Sequence, residues 1–153
     1  MNTGIIKKTT EKSTLLLVDD DASFHKLITS DFDTFNVQSA YDASGALRQL
    51  KTPEKIKLAV IDLSFDSGYT FGGIDLIKDI HRQFPDLPII AVSKYSTTNT
   101  QKSRVLLSKL AIKVGAKTFL SKVDYTISGW EKLFHKTILK GQKPKQNSVR
   151  ATK

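Results

Sequence analysis

Short, uninterrupted apolar runs alternate in this chain with segments whose apolar residues recur every three or four positions. The runs are Leu15-Leu16-Leu17-Val18, Leu58-Ala59-Val60-Ile61, Ile89-Ile90-Ala91-Val92 and Phe119-Leu120. A continuous apolar run of that length suits a strand buried on both faces. The pattern predicts strands at Thr14–Val18, Leu58–Ile61, Ile89–Val92 and Thr118–Ser121, with a weaker one at Asn36–Ala40. Between them lie helical patterns. Residues 23–32 place Phe24, Leu27, Ile28 and Phe32 at helical spacing, with Asp21 or Ser23 as cap. Ala43–Lys51 stops before Pro53. Gly73–Gln83 carries Ile74, Ile77 and Ile80, and is closed off by Pro85 and Pro88. Thr100–Val114 ends at Gly115, a C-terminal cap signal. Tyr125–Leu139 carries Ile127, Trp130, Phe134 and Ile138, and is ended by Gly141 and Pro144. Residues 64–72 read as a loop.

Strands alternating with helices predict an α/β fold: a parallel five-stranded sheet covered on both faces, a three-layer (βα)5 sandwich. The expected strand order is the flavodoxin-like 2-1-3-4-5. In such sheets the ligand site lies beyond the carboxyl ends of the strands. Four of the predicted strands end on polar groups there: Asp19-Asp20-Asp21, Asp62, Ser93 and Lys122. Carboxylates, a hydroxyl and an ammonium converging on one spot would suit a hard cation and a phosphoryl group. Each taken alone has a blander reading. Asp19–Asp21 before a helix is a cap with favourable dipole charge. An Asp ending a strand is a turn former. A lone serine or lysine is a loop or surface residue.

Composition narrows the class. The 153 residues, 39% hydrophobic and 25% charged, suit one soluble domain. It is expected over residues 14–140, between a flexible N-terminus (1–13) and a basic, disordered tail (141–153). Without cysteine there are neither disulfides nor thiolate metal sites. No stretch approaches the ~20 apolar residues of a membrane span. Residues 1–12 have no apolar signal core, so a cytoplasmic protein is expected. The net charge of +9 is concentrated late: residues 129–153 hold seven Lys or Arg against Glu131 alone. Such a tail attracts nucleic acid, a membrane surface or acidic partners, or is simply solvated.

The residues at the strand ends resemble the receiver domain of response regulators, the phosphoacceptors of two-component signalling. The marks are Val18-Asp19-Asp20 after the first strand, Asp62 after the third, Ser93 after the fourth and Lys122 after the fifth. The resemblance covers about residues 14–140 and implies a stand-alone, single-domain receiver. It implies that Asp62 accepts a phosphoryl group from a histidine kinase or phosphotransfer protein. It implies Mg²⁺ held by Asp20 and Asp62, by Asp19 through water, and by the backbone carbonyl of Ser64. Lys122 and Ser93 would contact the phosphoryl oxygens. Phe119 would be the aromatic switch of the fifth strand. Such a chain is no enzyme beyond its own phosphorylation and dephosphorylation.

Four departures stand against that pattern. The loop after Asp62 is long, and residues 65–71 are a candidate lid. Lys94 follows Ser93, where a small residue is usual, and would either hold phosphate or obstruct its entry. Val123 replaces the usual proline after Lys122. The Ser93-to-Lys122 stretch is also longer than usual. They motivate the alternative of a degenerate receiver, an interaction module independent of phosphorylation. Asp19–Asp21 also contains the Asp-x-Asp of haloacid-dehalogenase-type phosphohydrolases. Those need a cap and a late acidic motif, and after Lys122 only Asp124 and Glu131 are acidic.

Output is expected through a protein surface. Between Ser93 and Val123 there is no acidic residue. On the fourth helix Leu107, Leu110, Ala111 and Val114 share one face, which leaves Val105 and Ile112 opposite, near Lys109. In receivers the fourth helix, fifth strand and fifth helix form the output face. An acidic downstream protein with a small hydrophobic groove, or a second copy of the chain, would fit it. Nucleic acid is disfavoured because no aromatic residue interleaves the basic positions.

Overall fold

The computed structural model describes residues 11–51, 56–64, 72–94 and 101–142, with side chains undescribed over 101–104. Its elements are β1 (Ser13–Val18), α1 (Ala22–Asp31), β2 (Phe35–Ala40), α2 (Ala43–Leu50), β3 (Ile56–Asp62), α3 (Gly72–Gln83), β4 (Ile89–Ser93), α4 (Gln101–Val114), β5 (Thr118–Ser121) and α5 (Ile127–Gly141). The five strands form one parallel sheet in the order β2-β1-β3-β4-β5, as the sequence predicted. Ser13 already belongs to β1 and Gly141 to α5. Most of the expected N-terminal and C-terminal tails, and the candidate lid at 65–71, lie outside the described residues.

Alternation along the strands sorts the core into two halves. Leu16, Val18, Ala59, Ile61, Ile89 and Ala91 face α2, α3 and α4, and meet Ala46, Ile74, Ile77, Ile80 and Ala111. Leu15, Leu17, Leu58, Val60, Ile90 and Val92 face the other way. There α1 and α5 bring Phe24, Ile28, Phe32, Trp130, Phe134 and Ile138. Successive strand residues point to opposite faces, so an unbroken apolar run feeds both layers.

Local signals fix the helix ends. The Asp21 carboxylate caps α1 by accepting from Ser23 N–H at 2.9 Å. Asp42 caps α2 from Gly45 N–H at 2.6 Å, and Thr126 caps α5 from Gly129 N–H at 3.2 Å. α4 ends in a Schellman turn: Ala116 N–H reaches Ala111 C=O at 2.9 Å and Gly115 N–H reaches Ile112 C=O at 3.2 Å. Gly115 sits there at φ 132°, and a Cβ on it would lie 2.5 Å from His81 Cγ.

Two details of the sequence reading change. A 3-10 turn, Lys122–Asp124, separates β5 from the last helix, which therefore starts at Ile127 rather than near Tyr125. Leu27 is 41% exposed, although it was expected on the inner face of the first helix. His25 is buried instead, because the end of β1 offers it a hydrogen-bond partner. Among the described residues no peptide bond is cis, so the Lys122–Val123 bond is trans.

Candidate functional site

The carboxyl ends of β1, β3, β4 and β5 bring the predicted residues together. Val18 pairs with Ile61, so Asp19 follows beside Asp62; Asp62 pairs with Val92, and Ser93 with Ser121, next to Lys122. Asp19 is fully buried, Asp62 is 2% exposed and Ser93 is buried, while Asp20 is exposed. Lys122 Nζ lies 2.5 Å from Asp19 Oδ2 and 3.4 Å from Asp62 Oδ2. The same ammonium sits 4.1 Å over the Phe24 ring, whose face favours a cation. Lys122 thus bridges both buried carboxylates, and the site has a hydrogen-bonded counter-charge at its floor.

The other oxygens are held too. Asp62 Oδ1 accepts from Ser64 N–H at 3.1 Å and from the Ser64 hydroxyl at 2.9 Å. Asp19 Oδ1 accepts from Asp21 N–H at 2.9 Å. Oxygens of Asp19, Asp20 and Asp62 all lie within 4.8 Å of one another. That donor set, all oxygen and open on the Asp20 side, suits a hard divalent cation. Burial, and then the neighbouring Asp62 charge, hold the Asp19 carboxyl above its ordinary range, against the pull of Lys122 and the Asp21 amide. A cation would offset both causes.

Lys94 does not stand alone. Its ammonium lies 3.2 Å from Asp21 Oδ2, joining the end of β4 to the cap of α1. That bond raises the Lys94 pKa, with smaller support from Asp19 and Asp62. For Asp21, burial works upward, but the pairing with Lys94 and the α1 amides outweigh it and hold the carboxyl below its usual range. Of the other expected residues, Phe119 is half-buried and packs against the α2–α4 half of the core. Val105, Lys109 and Ile112 are exposed on α4, beside a 67% exposed Leu106 that the sequence reading did not single out.

Two contributors escaped the sequence reading. One is the Ser64 side chain, expected only through its carbonyl. The other is His25, 3% exposed, whose Nε2 lies 2.7 Å from the Asp19 carbonyl oxygen and whose Nδ1 lies 2.8 Å from Ser39 Oγ. A polar residue between the conspicuous Phe24 and Leu27 gives no periodic signal.

The chain is 30% identical over 110 residues to a putative NtrX-like response regulator of Rickettsia felis, covering 71% of this chain and 21% of that protein. It is 26% identical over 110 residues to the nitrogen assimilation regulatory protein NtrX of Azorhizobium caulinodans, covering 71% and 22%. The chain therefore spans about a fifth of the length of these curated relatives. Among solved structures, the receiver domain of NtrX from Brucella abortus superposes with a TM-score of 0.69 at 21% identity, over 82% of this chain and 98% of that one. A CheY-like receiver domain protein of Methanospirillum hungatei gives 0.68 at 19%, over 84% and 95%. The response regulator receiver domain family matches residues 15–125. That match runs from β1 past Lys122 and so takes in every carboxylate of the cluster: the chain belongs to the response regulator receiver domain family of two-component signalling.

Proposed function

We propose that this receiver is a working phosphoacceptor and that Asp62 is the residue phosphorylated. The observation that carries the reading is the setting of its carboxylate: buried, with one oxygen fixed by Ser64 and the other facing the Lys122 ammonium. A carboxylate held in this way is a nucleophile with a defined direction. In the transfer, an Asp62 oxygen attacks the phosphorus of a phosphohistidine on a histidine kinase or phosphotransfer protein. The P–N bond breaks, its electron pair stays on the imidazole nitrogen, and an acyl phosphate remains on Asp62. Lys122 takes a phosphoryl oxygen as a point charge, and the Ser93 hydroxyl donates to another. Asp20, Asp62 and the Ser64 carbonyl would hold Mg²⁺, with Asp19 acting through water. The ion supplies charge neutralisation between the carboxylates and the incoming phosphoryl group.

The phosphorylated state is read through the α4–β5–α5 face in this proposal. Phe119 adjusts its packing as Ser93 is drawn toward the phosphoryl group. Val105, Lys109 and Ile112 then contact an acidic downstream protein or a second copy of the chain. The protein acts in the cytoplasm, and no described helix is long and apolar enough to cross a membrane. The test is intact mass after incubation with acetyl phosphate and Mg²⁺. One phosphoryl group should be added to the wild type and none to Asp62→Asn. Labelling that survives the substitution removes Asp62 from the role.

One observation favours the second reading, a receiver that binds partners without phosphorylation. The Lys94–Asp21 ion pair spans from β4 to α1 beside the cluster. If it keeps donors out, Mg²⁺-dependent labelling fails in the wild type and returns in Lys94→Ala.

A further inference from the structure

We infer that His25 is a positioning residue for the carboxylate cluster: its imidazole fixes the backbone from which Asp19 and Asp20 project. The inference rests on the cation-binding reading of the site. Its starting point is an interruption in the sheet. Asp19 N–H donates to Ala40 C=O at 3.1 Å, continuing the β1–β2 ladder past Val18. In a parallel ladder the Asp19 carbonyl would next accept from Asp42 N–H. The chain instead turns away at Asp42, whose side chain caps α2. The His25 ring fills that place. Its Nε2 is 2.7 Å from the Asp19 carbonyl oxygen in a buried contact. A carbonyl only accepts, so Nε2–H is the donor.

The ring is itself held from two further sides. Its Nδ1 lies 2.8 Å from Ser39 Oγ on β2, and its ring centre lies 4.4 Å from that of the Tyr41 ring, the two planes tilted by 42°. Ser39 in turn offers its carbonyl to Gln49 Nε2 at 2.7 Å. The imidazole therefore ties together the end of β1, β2 and the turn into α2. The Asp19 carbonyl belongs to the peptide unit that leads into Asp20. Any freedom left at this carbonyl is passed to the Asp20 backbone and to the direction of its carboxylate. Asp20 itself is exposed. A side chain that orients a ligand's own support typically changes metal affinity by about 10–100-fold when lost.

The experiment compares His25→Leu, His25→Gln and Ser39→Ala with wild type. Gln places an amide N–H at about the reach of Nε2, whereas Leu fills the space without a donor. Mg²⁺ affinity is measured by titration calorimetry, and hydrogen exchange at the Asp20 and Asp21 amides is measured without metal. His25→Leu should weaken Mg²⁺ binding by about 10-fold or more and speed exchange at both amides. His25→Gln should stay close to wild type, and Ser39→Ala should fall between. A Gln variant no better than Leu would make the ring mere packing and overturn the proposal. So would wild-type affinity and exchange in His25→Leu. Should His25→Leu not fold, Ser39→Ala decides: unchanged affinity overturns the proposal. A wild type that binds no Mg²⁺ overturns the cation-binding reading and this inference with it. Failure confined to the variants leaves that reading standing.

Discussion

Replacing Lys122 by Met tests the electrostatics of the site directly. Met keeps most of the stem and removes the ammonium that bridges Asp19 and Asp62. At 3.4 Å and an effective dielectric near 20, the Lys122–Asp62 attraction alone is about 5 kcal/mol before desolvation. Breaking one partner out of a buried pair typically costs about 3–5 kcal/mol. A second limit applies, because the abandoned Asp19 carboxylate escapes by binding a proton. From an ordinary carboxyl value of 3.8, that costs about 4 kcal/mol at pH 7 and about 1.6 kcal/mol at pH 5. The sign follows from linkage. A carboxyl whose folded pKa is raised binds its proton more tightly folded than unfolded. Its contribution is fully present below the unfolded pKa and is lost as pH rises through the folded one. Asp19 is already raised in the wild type, and loss of Lys122 removes what opposes that rise. The variant should therefore lose about 3–4 kcal/mol at pH 7 and less than about 2 kcal/mol at pH 5. The difference from wild type cancels carboxylates that the substitution does not touch. Urea unfolding without metal, followed by the fluorescence of the buried Trp130, gives both values. A loss below about 1 kcal/mol at pH 7, or one equal at both pH values, would refute the reasoning.

Three further outcomes are expected. A Cβ on Gly73 would lie 2.4 Å from the Asp62 carbonyl oxygen and 2.5 Å from Leu63 Cα. Gly73→Ala should therefore cost about 1–3 kcal/mol in urea unfolding and slow Asp62 labelling; unaltered labelling would show that α3 does not seat Asp62. Asp20→Ala removes one of the three clustered carboxylates and should weaken Mg²⁺ binding in calorimetry at least about 10-fold, while an unchanged affinity would misplace the cation. Val105→Ser with Ile112→Ser alters exposed positions, so stability should shift by only about 0.5 kcal/mol per site, while phosphorylation-dependent self-association or partner capture falls. If neither changes, α4 is not the output face.

Most of the site was legible because a parallel sheet turns strand ends into addresses. β1, β3 and β4 are buried on both faces, so their apolar runs stop only at the carboxyl edge of the sheet, at Asp19, Asp62 and beyond Val92. β2 is mostly half-buried, and its weaker pattern was read one residue short, at Asn36 rather than Phe35. Helix interiors were read from periodicity, which sees apolar spacing only. Hence Leu27 was placed inside and His25 was passed over, since what buries His25 is a carbonyl six residues back. The Ser64 hydroxyl and the Lys94–Asp21 pair were missed for the same reason. Hydrogen bonds and ion pairs made across turns leave no trace in the order of apolar residues.

The unlike chemistry of the two core halves bears on how this molecule can be watched. Buried residues on the α2–α4 side are all aliphatic, whereas Phe24, Phe32, Phe35, Trp130 and Phe134 crowd the α1–α5 side. Trp130 meets Phe24 edge-on at 6.1 Å and Tyr125 at 4.9 Å, so the lone indole looks at one layer only. Tryptophan fluorescence therefore reports half of the protein. An intermediate that loosens α2, α3 and α4 while α1 and α5 stay docked would look native to fluorescence. The Lys122 ammonium rests on the same Phe24 ring, which makes that bright layer the one placed to register a change of charge at the strand ends.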